Sequence, residues 1–496
     1  MTELEAGRAP ARVRRIIVDC SHITPHPAPT GIPRVVMKYA QLGAPVAARQ
    51  NVSLLCAQYV DGHFRRRAVD AFTTRQAGRA GKPGMGFKLL LETTRYVSRV
   101  LRHATALLAA VVPARPLRRF AEAVAEWSLE LVPALRRRAA GRQPAGEVLK
   151  LGPGDILFCP GYWHDMDAQV YRDAHEQGAE VVFVIHDILP ITLPTHYQYP
   201  WRRHFDERLS ASFGLVGHYY CISRHTLAEV SAHAAWQGRE VRASVAYNGF
   251  DPQPPAPPAN PADEPRGEVG AVLDRAPWLM VGTLEPKKGH ADAIAAFTQM
   301  WERGYQRPLL LLGRHGWMSE PIIDSIKTSP WLGQRLFWFE GVDDATVAAA
   351  YRRAHALLFA SQAEGFGLPL LEAVAHGTPI LVRDMPVSRE VMGPGDFYFS
   401  DRRTLIAAVQ GLEAPERRAA IAARQGELEW YGWPDVVEAT VTDLMRRPGT
   451  RRLGMELLAD VPRAPVRTPT PGLGKTRAEV ANTTEDRSKV VPLRRP

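Results

Sequence analysis

Short apolar runs alternate with amphipathic segments along most of the chain. Runs such as RIIVD, DILFC and EVVFVI are short and rich in β-branched residues, which is typical of strands buried on both faces. The segments between them begin like helices, as TGIPRVV does. Strands that alternate with helices predict a parallel sheet in an α/β fold.

This alternation occurs in two sets, residues 14–250 and residues 278–429. The segment between them, residues 251–277, is rich in proline and poor in aliphatic residues, so we predict that it is an interdomain linker. Two α/β domains joined by a linker enclose a cleft, where small ligands commonly bind. We expect a helix over residues 430–447 that crosses back from the second domain.

Three further segments stand outside this pattern. We expect residues 1–13 to be a flexible N-terminus and residues 448–496, which are rich in Pro, Arg and Thr, to be a disordered tail. Residues 75–146 interrupt the first set with apolar residues at three-to-four spacing and arginines on the opposite face. This pattern predicts a basic, amphipathic helical insertion in the N-terminal domain.

The uneven distribution of charge excludes one class of partner. Net charge is +10 over the 496 residues, yet residues 147–446 carry 27 Lys or Arg against 38 Asp or Glu. A nucleic-acid-binding protein needs its basic surface on the folded body, so we expect no nucleic-acid partner. The basic insertion instead suggests contact with an anionic membrane surface. The alternative is that its helices pack on the N-terminal domain with a solvated arginine face.

The composition also bears on location and redox state. The longest mostly apolar run, residues 104–112, is far shorter than the ~20 residues that span a bilayer, and the N-terminus does not resemble a secretory signal. We therefore expect a cytoplasmic protein, peripheral on the inner face of the plasma membrane if the insertion binds lipid. The four cysteines are at least 36 residues apart, so we predict buried thiols.

The most informative motif lies in residues 361–379. Gly365 and Gly367 follow a predicted strand and precede a helix with Pro369 in its first turn. Such a helix N-terminus can hold a phosphate or sugar oxygen. Glu364 and Glu372 flank it, and a carboxylate can accept two hydrogen bonds from a vicinal diol. The alternative is a strand–helix turn with two surface glutamates.

A second motif, VGTLEPKKGH, covers residues 281–290. Lys287 and Lys288 are adjacent in a chain where Arg outnumbers Lys 53 to 9, and two ammonium groups suit a diphosphate. The alternative is a solvated basic turn. Asp165 and Asp167 form an Asp-x-Asp pattern that can hold a divalent metal, but they open a predicted helix, and we interpret them as helix caps.

Further candidates lie in the N-terminal domain. His186 follows a buried strand, where it is either a structural histidine or a ligand contact, and Asp187 beside it is predicted to orient the loop. Gly31 and Arg34 open the first helix. Arg34 suits an anionic acceptor, although a surface arginine on a helix is an equal alternative.

These motifs resemble family 4 of the glycosyltransferases, a family of retaining enzymes with the GT-B fold. Glu364 and Glu372 match the family's E-x7-E signature, within EGFGLPLLEA, and VGTLEPKKGH is similar to its first loop in the C-terminal domain. The resemblance implies two Rossmann-like domains that face each other across a cleft. TGIPRVV and IHDILPI further resemble bacterial mannosyltransferase-type enzymes of O-antigen and exopolysaccharide assembly.

The resemblance also implies residue roles. Glu364 would contact the transferred sugar, Glu372 the nucleotide ribose, and His186 the sugar pocket. The catalytic candidates are Glu364, Lys288 and His186. Arg34 and Asp187 would lie on the acceptor side. Thr283 stands where many members carry Arg. The remaining donor-binding candidates are Gly31, Gly282, Thr283, Lys287, Lys288, Gly365, Phe366, Gly367 and Leu368.

The expected activity is transfer of a hexosyl group, with mannose favoured, to a saccharide or lipid-linked saccharide. The donor would be a nucleotide-sugar, with a GDP-sugar favoured and a UDP-sugar as the alternative, and no metal or other cofactor is expected. Two rival interpretations are a sugar-nucleotide epimerase, which shares the fold but needs no acceptor, and a catalytically silent nucleotide-sugar-binding scaffold at the membrane. The intact glutamates and lysines argue against the scaffold.

Overall fold

The computed structural model describes residues 12–23, 31–73, 146–251, 265–446, 451, 453–454 and 456–466. The predicted insertion, residues 75–146, lies outside the described residues except for Gly146. The described chain forms a seven-stranded sheet and a six-stranded sheet, together with one short two-stranded ribbon.

The N-terminal domain is built on the seven-stranded sheet, whose strand order is β3-β2-β1-β4-β5-β6-β7. All neighbours are parallel except β2 and β3, which form an antiparallel edge. The strands are β1 (Arg15–Asp19), β2 (Ser53–Val60), β3 (His63–Arg67), β4 (Asp155–Cys159), β5 (Glu180–Ile185), β6 (Val216–Cys221) and β7 (Ala243–Val245). The helices of this part of the chain are α1 (Ile32–Ala48), α2 (Asp70–Thr73), α3 (Ala168–Glu176), α4 (Leu189–Thr192), α5 (Tyr199–Ser212) and α6 (Arg224–Trp236).

The C-terminal domain is built on the six-stranded sheet, which is parallel throughout with the order β10-β9-β8-β11-β12-β13. Its strands are β8 (Trp278–Val281), β9 (Leu309–Leu312), β10 (Leu336–Phe339), β11 (Ala356–Phe359), β12 (Ile380–Arg383) and β13 (Tyr398–Phe399). Its helices are α7 (Gly267–Leu273), α8 (His290–Glu302), α9 (Glu320–Lys327), α10 (Asp344–Arg353), α11 (Leu368–Ala375), α12 (Pro386–Met392), α13 (Arg402–Gly411) and α14 (Pro415–Gly426). Strands such as β9 are buried along their whole length because helices cover both faces of the sheet.

The chain then returns to the N-terminal domain. After β14 (Glu429–Trp430), helix α15 (Trp433–Leu444) packs on α1, where the Tyr39 hydroxyl lies 3.2 Å from Thr440 Oγ1. The Tyr220 hydroxyl donates to Asp443 Oδ2 at 2.8 Å. The described residues therefore contain a crossing helix within the predicted range of residues 430–447.

The two passages of the chain between the domains lie side by side. The Phe250 amide donates to the Tyr431 carbonyl at 3.0 Å, and the Trp430 indole donates to the Asn248 carbonyl at 3.0 Å. The rings of Tyr247 and Tyr431 stack with a centroid distance of 6.0 Å. The segment that leaves the N-terminal domain and the segment that returns to it thus lie against each other; we call this contact the hinge seam (residues 247–250 and 430–432).

Three predicted boundaries are wrong. Residues 265–277 do not belong to a linker, because α7 buries Val272 and Leu273 in the C-terminal domain. Val13 is 6% exposed and so is not part of a flexible N-terminus. The tail is structured over residues 456–466, where β15 (Ala464–Pro465) pairs with β14. Before it, Arg451 is 4% exposed and forms an ion pair with Glu180.

Other predictions about local structure are confirmed. The four cysteines are buried free thiols. Asp167 caps α3, since its side chain accepts a hydrogen bond from the Gln169 amide at 2.9 Å. None of the helices that the structure describes has the length and apolarity needed to cross a membrane.

Candidate active site

Two loops of the C-terminal domain meet at the carboxyl ends of adjacent strands. The lysine loop (residues 282–289) follows β8, and the glutamate loop (residues 360–367) follows β11, which pairs with β8. Gly289 allows the loops to touch, since it has φ 72° and a Cβ there would lie 2.0 Å from the Ala360 carbonyl oxygen. The two sequence motifs thereby form one site, in which Lys288 and Glu364 are 76 positions apart in the chain.

Glu364 is buried against a cation. The Lys288 ammonium donates to Glu364 Oε1 at 2.5 Å, and the Ser361 hydroxyl donates to the same oxygen at 2.7 Å. Burial raises the pKa of Glu364, but Lys288 and Lys287 more than offset it, so the net pKa of this carboxyl is lowered. Glu364 is therefore an oriented carboxylate, and Lys288 is held at the base of the cleft.

Lys287 is a second cation beside Lys288 and is the more deeply buried of the two. Its side chain is 10% exposed, and its ammonium lies 4.0 Å from Asp187 Oδ2 and 5.5 Å from the centre of the Trp317 ring. Burial lowers the pKa of Lys287, but the opposite effect of Asp187 and the other neighbouring acidic groups is larger, so the net pKa is raised. Lys287 thus stays charged although it is enclosed by both domains.

Glu285 adds a carboxyl that sequence reasoning missed. It is 7% exposed, and burial raises its pKa to about 6 although Lys287 and Lys288 lower it. Glu285 and Glu364 together balance the two lysines. The adjacent Lys pair was the visible signal in this loop, and a glutamate two residues before it carries no distinct pattern.

Helix α11 directs its N-terminus into the same region. Gly367 is its N-cap in the left-handed conformation, with φ 104°, and Pro369 lies in its first turn. Pro369 has no N–H and the Leu370 amide donates to the Gly367 carbonyl at 3.0 Å, so the Leu368 amide and the positive end of the helix dipole are the features suited to an anion. Leu368 is half-buried at the first position, and Phe366 packs against Trp430 with its ring 5.5 Å away, so the Phe366 side chain is part of the core.

Glu372 lies one turn inside α11 and has partners from both domains. The Tyr351 hydroxyl donates to Glu372 Oε2 at 3.0 Å. Arg34 Nη1 donates to Glu372 Oε1 at 2.9 Å. Arg34 comes from the first turn of α1, which Gly31 precedes as N-cap with φ 61°. Sequence analysis assigned Arg34 to the acceptor side, whereas the structure pairs it with the candidate ribose carboxylate.

His186 lies where the N-terminal domain meets the glutamate loop. Its Nε2 is 2.9 Å from the Pro160 carbonyl oxygen, which can only accept, so Nε2 carries the proton. Burial lowers the pKa of His186, which keeps the ring neutral. A Cβ on Gly365 would lie 1.8 Å from the His186 carbonyl oxygen. Asp187 orients the loop as predicted, since its Oδ1 accepts from the Leu189 amide at 3.2 Å.

Gly282 and Thr283 support the lysine loop. Gly282 has φ 143°, and its carbonyl oxygen would lie 1.8 Å from a Cβ on Gly313. Thr283 is half-buried, and its methyl group would lie 2.8 Å from a Cβ on Gly316. The loop that continues from β9 therefore packs directly on these two residues.

Several residues that sequence reasoning missed connect the domains. His196 Nε2 lies 2.8 Å from Gln362 Oε1, and the Trp317 indole donates to the His196 carbonyl at 3.0 Å. Glu390 of α12 accepts from the Arg224 amide at 2.6 Å. Gln362 lies within the motif of residues 361–379. His196 ends a short 3-10 helix and Trp317 lies in a loop, and the sequence of neither segment gives a comparable signal.

Two parallel α/β domains with ligand loops at the carboxyl ends of their strands form a GT-B fold. Crystal structures of similar fold include Anabaena HepE in complex with UDP and glucose, with 14% identity, a TM-score of 0.51, and coverage of 87% of this chain and 99% of that one. Sucrose-phosphate synthase from Thermosynechococcus elongatus has 17% identity, a TM-score of 0.51, and coverage of 87% and 98%. These similarities establish the fold.

Sequence comparisons find similarity to glycosyltransferases, which includes the C-terminal domain. Residues 263–422 match the family model "Glycosyl transferases group 1", in agreement with the resemblance to family 4. The serotype-specific mannosyltransferase WbdA of Escherichia coli is 32% identical over 320 residues, which are 61% of this chain and 38% of that protein. O-antigen chain mannosyltransferase B of Escherichia coli is 30% identical over 171 residues, 33% of this chain and 44% of that protein. The chain thus spans less than half of either relative.

Proposed function

We propose that this protein is a retaining, metal-independent hexosyltransferase of cell-surface polysaccharide synthesis. It transfers mannose from a nucleotide-sugar, GDP-mannose rather than a UDP-sugar, to a saccharide or lipid-linked saccharide. The observation that carries the proposal is the cluster of Lys287, Lys288 and Glu364 beside the N-terminus of α11. A buried cation, a partly buried cation and a helix N-terminus suit a leaving diphosphate, and the oriented carboxylate suits the sugar.

The charges of the site support a reaction without a divalent cation. Lys287 and Lys288 together supply two positive charges at the place where the diphosphate leaves, which is the contribution that Mg²⁺ makes in other transferases. Glu364 lies on the sugar side, where positive charge develops on the anomeric carbon. The departing diphosphate takes the acceptor's proton on the same face, as family 4 implies, and this gives retention.

The relatives support mannose as the sugar. The named functions of WbdA and of O-antigen chain mannosyltransferase B are mannosyl transfer, and the similarity to WbdA extends over 320 residues. The phosphatidyl-myo-inositol mannosyltransferase of Mycolicibacterium smegmatis is also 33% identical over 166 residues. These names favour mannose as the sugar, and GDP-mannose is the first donor to test because the resemblance to family 4 favours a GDP-sugar.

The test is a donor panel followed by a transfer assay. Thermal-shift titrations with GDP, UDP, ADP and dTDP identify the base, because a ligand that binds only the folded state raises the melting temperature. Radiolabelled GDP-mannose and UDP-glucose are then incubated with mannose oligosaccharides, with and without EDTA, and NMR gives the anomeric configuration of the product. We expect α-mannosyl product from GDP-mannose at equal rates with EDTA. The control is Lys288→Ala, which should not turn over.

The outcomes separate the rival functions. An epimerised nucleotide-sugar formed without acceptor would identify an epimerase. A chain that binds no nucleotide at millimolar concentration would be a scaffold. Inhibition by EDTA that Mg²⁺ reverses would refute the metal-independent reaction, and an inverted product would refute retention.

We also propose, from charge alone, that residues 75–146 contact an anionic membrane at the cytoplasmic face. Each basic residue near such a surface contributes about 1 kcal/mol at low ionic strength. Full-length protein should co-sediment with vesicles that contain phosphatidylglycerol and not with phosphatidylcholine vesicles, and 0.5 M NaCl should release it. Equal binding to both vesicle types would refute this proposal.

A further inference from the structure

The Arg34–Glu372 ion pair joins the two domains across the cleft. Arg34 belongs to α1 of the N-terminal domain and Glu372 to α11 of the C-terminal domain, and Arg34 Nη1 lies 2.9 Å from Glu372 Oε1. Their side chains are 29% and 24% exposed, so the pair lies at the edge of the cleft within reach of solvent. Partly exposed ion pairs of this kind are weak and exchange readily.

The pair uses the carboxylate that a ribose would need. Oε1 of Glu372 accepts from Arg34, and Oε2 accepts from the Tyr351 hydroxyl at 3.0 Å. A vicinal diol binds a carboxylate by donating one hydrogen bond to each oxygen. Tyr351 is buried and holds Oε2 from within its own domain. Arg34 is therefore the partner that a ribose would compete with.

A nucleoside diphosphate brings a new partner for Arg34. Glu372 is five residues after Gly367, which corresponds to about 7.5 Å along the helix axis. The start of α11 at Gly367 and Leu368 is the proposed phosphate contact, so a ribose at Glu372 places its diphosphate within reach of a released Arg34 side chain. A guanidinium forms paired hydrogen bonds with phosphate as well as with carboxylate.

We propose that Arg34 exchanges partners when the donor binds. Without donor it holds Glu372; with donor it moves to the diphosphate and leaves Glu372 to the ribose. This inference rests on the proposed function and adds to it a donor-binding cation from the N-terminal domain. It also makes binding selective for nucleotides over nucleosides, because a nucleoside must displace Arg34 without offering it an anion.

The test compares ligands with and without the diphosphate. Isothermal titration calorimetry measures GDP and guanosine, and UDP and uridine, on the full-length wild type and on Arg34→Ala. Arg34→Ala should bind the preferred diphosphate about ten- to a hundredfold more weakly, as expected for a lost charge-assisted contact. Its affinity for the nucleoside should stay within about threefold of wild type, or rise, because the competitor of the ribose is gone.

Two further variants control for charge and for folding. Arg34→Lys keeps the positive charge but not the paired hydrogen bonds, so we expect a loss between wild type and Arg34→Ala. Arg49→Ala removes the arginine that caps the C-terminus of α1 and pairs with Glu438 at 2.6 Å, with both side chains more than half exposed. This change should leave both affinities at the wild-type value. Melting temperatures establish that each variant is folded.

Each alternative result has a distinct meaning. Equal losses for diphosphate and nucleoside in Arg34→Ala would show that Arg34 only positions Glu372, and unchanged affinities with a raised acceptor KM would place it at the acceptor; either overturns the exchange. A wild type that binds GDP or UDP but does not transfer sugar overturns the proposed reaction and leaves the exchange intact. A wild type that binds no nucleotide overturns both.

Discussion

The two domains contribute to the site in different ways. In the C-terminal domain, Lys287, Lys288, Glu364 and Glu372 lie in two contiguous segments, each a strand, a loop and the start of a helix. In the N-terminal domain, Arg34, His186 and His196 lie in three separate parts of the fold, and each part contributes a single residue to the site. The donor half is thus encoded locally, whereas the opposite half depends on tertiary structure.

Substitutions in the two halves should therefore affect chemistry and domain arrangement separately. A substitution in a local motif of the C-terminal domain removes a charge from a site that otherwise keeps its shape. A substitution at the contact between domains moves one half of the site relative to the other. The following predictions test this division.

The largest effect is expected for Lys288→Ala. The change removes the cation that lies 2.5 Å from Glu364 and leaves that carboxylate buried. We expect transfer to fall by at least about a thousandfold, since the diphosphate loses a preorganised charge. Radiolabelled transfer measures the rate, and Lys327→Ala, at the end of α9, is the matched control. Activity within tenfold of wild type would show that Lys288 is not essential.

The next effect concerns the N-terminal domain and its returning chain. Arg451 is 4% exposed and forms an ion pair with Glu180, so Arg451→Met leaves Glu180 without this partner. We expect a loss of about 3 kcal/mol in the free energy of unfolding, measured by urea denaturation.

The control for this prediction is Arg203→Ala, whose pair with Glu207 is exposed. That variant should lose no more than about 0.5 kcal/mol. Activity of folded Arg451→Met should be that of wild type. Unchanged stability would mean that the Arg451–Glu180 ion pair does not stabilise the fold.

Gly365→Ala tests the contact between the halves. The new methyl group would lie 1.8 Å from the His186 carbonyl oxygen, so the loop or the domain must move. We expect about a hundredfold loss of kcat/KM with the fold intact, because small displacements of reacting groups cost about this much. Gly214→Ala is the control, since no described atom lies within 4 Å of the added carbon. A wild-type rate in Gly365→Ala would separate this contact from function.

The smallest effect is a pH dependence within the donor half. Burial raises the pKa of Glu285 from 4.5 to about 6, so the folded protein holds this proton more tightly than the unfolded chain. Its contribution to stability is full below pH 4.5 and is lost as pH rises through 6. Between pH 4.5 and 7.5 we expect wild type to lose about 2 kcal/mol relative to Glu285→Gln.

The matched control is Glu416→Gln, which changes an exposed glutamate of α14. Its pH profile in urea denaturation should follow that of wild type. Parallel profiles for wild type and Glu285→Gln would mean that Glu285 keeps its solution pKa in the folded protein.

Local encoding explains how much could be predicted from the sequence. The strands and the loops around Lys288 and Glu364 follow from runs and motifs within about twenty residues, and the structure brings them together at adjacent strand ends. The Arg34–Glu372 pair spans 338 positions and has no local signal. The sequence around His196 is that of an ordinary surface histidine, and its contact with Gln362 depends on the tertiary structure.

Composition was misleading where burial depends on distant partners. The prolines of residues 251–277 masked α7, whose seven residues are too few to form a helix without the core that holds Val272 and Leu273. The Arg- and Pro-rich tail contains Leu457 and Leu458, which are buried in the fold. In both cases the overall composition predicted an unstructured segment, although a few of its apolar residues are buried.

The hinge seam has a mechanical consequence. Because the backbone passes between the domains at two adjacent places, joined by the Phe250–Tyr431 and Trp430–Asn248 hydrogen bonds, sliding or twisting of one domain over the other would break those bonds. Rotation about the seam would leave these bonds intact, so we expect the two domains to open by a hinge rotation about it. The angle between the domains would then describe the opening completely. Resonance energy transfer between dyes on α1 and α11 would measure the distance that changes with this angle.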